Sequence, residues 1–219
     1  MAKIKGLQDA VEYRAYKIIL IDKLLGSIPK NKQLFTKWVL DKYYNGDRID
    51  PDVQEEYELQ REIEESLAPE GEGETGFFTD VDGIYIMDYH MKGFLKNAGN
   101  ILKDILGIKN LRSKIENYVF VLPRCIYLKE KPDGRLQRPL RGQTPKGARI
   151  TLVSSDYVEK GTTFNIVIEK FKHREITWDV IETLLDYGSR QGLCQWRTGG
   201  YGRFKWERIA VEESGVPIE

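Results

Sequence analysis

Residues 187–204 read Tyr187-Gly188-Ser189-Arg190-Gln191-Gly192-Leu193-Cys194-Gln195-Trp196-Arg197-Thr198-Gly199-Gly200-Tyr201-Gly202-Arg203-Phe204. Glycine lets a backbone turn through positive φ and lets another molecule come close. A guanidinium holds phosphate at two points, and an aromatic face stacks on a base. The chemistry these residues could do is to hold a phosphate backbone carrying unpaired bases. On that reading Arg190, Arg197 and Arg203 meet phosphates, Tyr201 stacks a base, and the Gly199 and Gly200 amides face the strand. A tight helix-to-strand connection with Trp196 and Tyr201 packed on the core would use the same residues without a ligand. It predicts that Arg197→Ala changes only solubility.

Other cations could join such a surface. Lys92 and Lys96 stand at the start of an apolar-striped segment, where a helix N-terminus favours anions, or they form an ordinary solvated helix face. Arg138 and Arg141 lie in a basic stretch from Lys129 to Arg149, most simply a solvated hairpin and alternatively a thumb over nucleic acid or a neighbouring subunit. Two cysteines and two histidines make a poor zinc site, and no cofactor or metal is expected. His90 and His173 are read as structural or solvated rather than as general bases.

The 219 residues carry no net charge, which argues against a binder driven by phosphate neutralisation alone. The distribution is uneven. Residues 51–90 hold 13 acids against one base, and 91–150 hold 14 bases against 4 acids. Opposite charges on one chain permit head-to-tail assembly; the acidic part could instead cover the basic groove. No apolar run is long enough to span a membrane, the N-terminus lacks a secretory signal, and Cys125 and Cys194 are expected as buried thiols in a reducing cytoplasm.

These residues need elements to position them. A strand is predicted over 13–25, then a helix carrying Leu34, Phe35, Trp38 and Val39, then an acidic stretch ending in a loop. Asp82-Gly83 signals a hairpin before Ile84–Met87. Phe94, Leu95, Ala98, Ile101, Leu102 and Ile105 form one helical stripe over 92–107. Strands follow at 118–122, 125–128, 149–153 and 162–171. Thr177 caps a helix stapled by Ile176 and Ile181 and stopped at Gly188. A last strand covers 204–210. Without insertions the order is βαββαβ, an α+β, ferredoxin-like (RRM-like) plan. It is read as one domain over 1–219, with a helical and acidic insertion at 26–76 and a basic hairpin insertion at 129–148.

Three ordered segments carry a resemblance. Met87-Asp88-Tyr89-His90-Met91-Lys92-Gly93-Phe94-Leu95-Lys96, the strand Thr162–Ile168 preceded by Gly161, and Gly199-Gly200-Tyr201-Gly202-Arg203-Phe204 are similar to motifs of the RAMP superfamily. The likeness is to the repeating backbone subunits of class 1 CRISPR effector complexes, and it spans 87–206. The chain also resembles proteins encoded in phages and prophages of Gram-positive bacteria. The resemblance implies a RAMP core binding single-stranded nucleic acid, RNA ahead of DNA, with Lys92 and Lys96 along the groove. Further copies of the chain would be partners; the alternative, favoured by the zero net charge and the acidic segment, is a protein-interaction role such as an inhibitor that mimics a backbone subunit and jams a host defence complex. Some family members cut RNA with an aspartate in the loop after the first strand. With that strand taken as 13–25, the loop is Gly26–Lys32 and holds none, so no enzyme is expected; a RAMP-like endoribonuclease using His90 or His173 ranks last.

Overall fold

The β-branched and aromatic run Val11–Leu20 forms β1. It ends at Leu20, not at residue 25 as predicted from its apolar continuation. Beyond it, the Ile21 and Asp22 amides donate to the Arg203 carbonyl at 2.9 and 3.4 Å. In this computed structural model, residues 6, 8–30, 74–144 and 147–217 are described. The helix predicted around 34–39 and the acidic run 51–73 lie outside them.

Two short strands follow, β2 (Leu24–Leu25) and β3 (Ile28–Pro29). Then come β4 (Glu74–Gly76), β5 (Phe78–Asp80) and β6 (Gly83–Met87), with Gly83 at φ 128 in the hairpin turn. Helix α1 runs Asp88–Leu106 and closes on Gly107 in the left-handed region. It buries Met91, Phe94, Leu95 and Ala98, but Ile101 and Ile105 are 44% and 79% exposed. The predicted stripe is therefore covered only over its first half. A short helix that the pattern did not announce, α2 (Leu111–Tyr118), packs there through the buried Leu111 and Ile115.

The remaining elements are β7 (Val119–Leu122), β8 (Cys125–Lys129), β9 (Gly134–Thr144), β10 (Gly147–Val158), β11 (Thr163–Phe171), α3 (Trp178–Asp186) and β12 (Phe204–Ile209). Thr177 caps α3 as predicted, its Oγ1 accepting from the Val180 amide at 3.3 Å. The Leu122-Pro123 peptide between β7 and β8 is cis.

The chain divides into two compact units, Met1–Leu24 with Thr79–Lys131 and Val158–Glu219, and Leu25–Phe78 with Pro132–Tyr157. In the first, four strands pair antiparallel in the order β12-β1-β11-β7. With α1 between β1 and β7 and α3 between β11 and β12, this is the βαββαβ ferredoxin-like plan in strand order 4-1-3-2. A smaller sheet, β5-β6-β8, belongs largely to the same unit. Even-numbered residues of β1 face the helices: the Tyr16 ring meets Trp206 edge-on at 5.3 Å and its hydroxyl donates to Glu182 of α3. Phe94 of α1 meets Phe204 of β12 at 5.0 Å.

The second unit contains the β9–β10 hairpin, with β10 parallel to β4 and β4 antiparallel to β3. The hairpin was predicted as solvated, and that fails at Arg138, which is 3% exposed. Strand alternation is the reason: Arg135, Gln137 and Pro139 point outward and Arg138 inward.

Candidate nucleic-acid interface

The glycine-rich stretch leaves α3 through a 3-10 turn at Tyr187–Ser189, makes a second at Arg197–Gly199, and enters β12 at Phe204. Its glycines are used mostly within the chain. A Cβ on Gly192 would run into the Tyr201 carbonyl oxygen, because the two limbs of the loop cross there and the Leu193 amide donates to the Gly202 carbonyl at 3.0 Å. Gly200 differs: it holds φ 86, and a Cβ there would find space, with Arg203 Nε nearest at 3.9 Å. Trp196 and Tyr201 stack on each other at 5.0 Å and 13°. Burial pushes the Cys194 thiol up to about 12, against the pull of Arg197, so it is protonated at neutral pH.

The loop is fastened to the end of β1. Gly202 donates its amide to the Lys23 carbonyl at 2.7 Å, and Arg203 Nε bonds Asp22 Oδ2 at 2.6 Å. The Arg203 side chain stays 40% exposed. Gly161 donates to the Leu20 carbonyl at 2.8 Å, and the Leu20 amide donates to Thr162 at 3.0 Å. Two of the three segments that carry the resemblance thus meet at the end of β1, and the third reaches them through the Phe94–Phe204 contact. Asp22 was missed because the strand was drawn through it. The signal available was that Asp22 is the first acid after the apolar run Ile18–Ile21.

The predicted site residues do not form one surface. Arg190 is exposed, its Nη1 donating to Ser189 Oγ at 2.9 Å; Thr198 and Gly199 are exposed, and Arg197, Gly200 and Tyr201 are half-buried. Lys92 Nζ donates to the Glu116 carbonyl at 2.8 Å and sits 4.4 Å from the Phe120 ring centre. Burial, then Lys96, lowers its pKa. Lys96 pairs with Glu116 Oε1 at 2.7 Å and so, like Lys92, ties α1 to α2. Arg138 is buried in the second unit, and the Arg141 side chain lies outside the described residues.

Both histidine rings accept from backbone amides. His90 Nδ1 accepts from the Met87 amide at 3.2 Å, and His173 Nδ1 accepts from the Glu175 and Ile176 amides at 3.1 and 3.3 Å. Among the described residues no group of three His, Cys, Asp or Glu could hold a metal ion, and no helix is long and apolar enough to cross a membrane.

No protein-family profile and no curated protein matches the chain. Solved structures similar to it include the cryo-EM structure of the type III-B Cmr-beta bound to cognate target RNA, at 13% identity and a TM-score of 0.48. The alignment covers 92% of this chain and 62% of that one, so this chain spans less than two thirds of its length.

Proposed function

We propose that this protein is a non-catalytic, RAMP-like binder of single-stranded nucleic acid, RNA ahead of DNA, that grips the backbone with the glycine-rich loop, and assembles head to tail in the cytoplasm of a phage or prophage host. The observation that supports it most is a braced loop that keeps Arg190 and the Thr198-Gly199 backbone exposed. The loop is locked from within by Gly192, by the Trp196–Tyr201 stack and by the Asp22–Arg203 pair, and it leaves Arg190, Thr198 and Gly199 exposed. Preorganised donors lose little entropy on meeting phosphate, which is where such a loop gains affinity. Two of the three resembling segments meet at the end of β1, and the third touches them through Phe94.

Asp22 changes the argument against cleavage, since the segment after β1 does contain an aspartate. Its carboxylate is engaged by Arg203, which suits a positioning role. The test is titration of a labelled single-stranded RNA across a salt series, with Arg197→Ala and Arg203→Ala alongside. Binding that weakens with salt, with a shallower salt slope in each variant, supports the reading; absence of binding at low ionic strength overturns it. RNA cleavage lost in Asp22→Asn would overturn the non-catalytic part.

A further inference from the structure

The helices cover one face of the four-stranded sheet, and the opposite face carries a cluster that the loop does not use. On β1 Arg14 and Tyr16 reach Glu182 on the helix side, so Tyr13 points the other way. Register sets Glu169 of β11 opposite both Tyr13 of β1 and Phe120 of β7, which puts Phe120 and Phe171 on that same face. Diagonal neighbours on such a face stand about 7–8 Å apart. The Phe120 and Phe171 rings meet at 6.0 Å and 84°. Phe120 is 37% exposed, and Tyr13, Glu169 and Phe171 are half-buried. Three adjacent strands thus present three aromatic rings around one carboxylate.

We propose that this face is a second contact for single-stranded nucleic acid, on which Tyr13, Phe120 and Phe171 stack unpaired bases and Glu169 accepts a hydrogen bond from a base edge. The inference rests on the nucleic-acid reading above and adds to it where the bases go. Charge selects this occupant. A carboxylate amid the rings repels phosphate but accepts from amino groups such as that of cytosine. The Lys92 ammonium lies over one side of the Phe120 ring, 4.4 Å from its centre, and offers a cation to the phosphate of a base that stacks on the cluster. It also repels the cationic side chain that an aromatic cage would otherwise take.

The experiment compares the full chain with Tyr13→Leu and Phe120→Leu in binding a single-stranded RNA and an abasic strand of the same length, each over a salt series. Leucine keeps apolar bulk and removes the ring face; Phe171→Met serves if either variant is shown by circular dichroism to be unfolded. The expected result is about 5- to 150-fold weaker binding of the base-bearing strand per ring, with abasic binding and the salt slope unchanged. Unchanged RNA affinity in the folded variants overturns this inference while leaving the loop reading in place. Equal losses for both strands, or displacement of the RNA by a lysine-rich peptide only in proteins that keep the rings, also overturn it. No binding of either strand by the unaltered protein removes both readings.

Discussion

At the scale of single residues, two glycines make opposite predictions. Gly192 sits where the loop's limbs cross, so Gly192→Ala forces backbone apart and should cost about 1–3 kcal/mol or more, read as a fall in melting temperature. Gly93 lies inside α1, exposed, and a Cβ there would meet nothing within 4 Å. Gly93→Ala should therefore stabilise the protein by about 1 kcal/mol in thermal or urea unfolding. If a strand runs along α1, the same substitution weakens RNA binding; a stability gain with unchanged binding would show that glycine there serves no ligand. Composition marked both positions alike, and only the surroundings of each separate them.

At the scale of elements, Glu182 of α3 joins the helix to two strands, since its Oε1 receives Arg14 at 2.8 Å and the Tyr16 hydroxyl at 3.1 Å from β1, and Arg208 at 2.5 Å from β12. Burial works to raise its pKa, but the bonds from Arg208, Arg14 and Tyr16 outweigh it and hold the carboxyl below its ordinary value. A depressed folded pKa means that the stabilisation is present above the unfolded carboxyl value of about 4.3 and is lost as pH falls through the folded value. Melting temperature followed from pH 6 to pH 3 should fall less steeply in Glu182→Gln than in the unaltered chain; parallel curves would remove the assignment. Replacing Glu116, more exposed and paired with Lys96 by its side chain, should cost about 0–1 kcal/mol by urea unfolding. Truncating Phe204, fully buried against Phe94, should cost about 3–5 kcal/mol.

At the scale of the whole molecule, the net charge of zero hides a segment at 51–90 that nets −12 and one at 91–150 that nets +10. If copies associate through these segments, light scattering at low ionic strength should show species larger than a monomer that shrink as salt rises past about 0.3 M, where the Debye length falls toward 5–6 Å. A monomer at every salt concentration would remove the assembly part of the proposed function. What the sequence by itself determined is the order of the core elements. The strand-forming run of β1, the alternation of β11, the apolar stripe of α1 and the Thr177 cap are local signals, and they sufficed for a βαββαβ plan of strands and helices. Side-chain partners depend on residues far apart in the chain, so tertiary structure alone decided them. It ended β1 at Leu20 because Arg203 takes the next amides, paired Asp22 with Arg203, turned Arg138 inward, tied Lys92 and Lys96 to α2, and gathered Tyr13, Phe120 and Phe171 on one face. The glycine-rich loop shows both sides of this: its composition announced a special backbone, but contacts with β1 and β12 decided which of its glycines serve the fold and which groups remain outside.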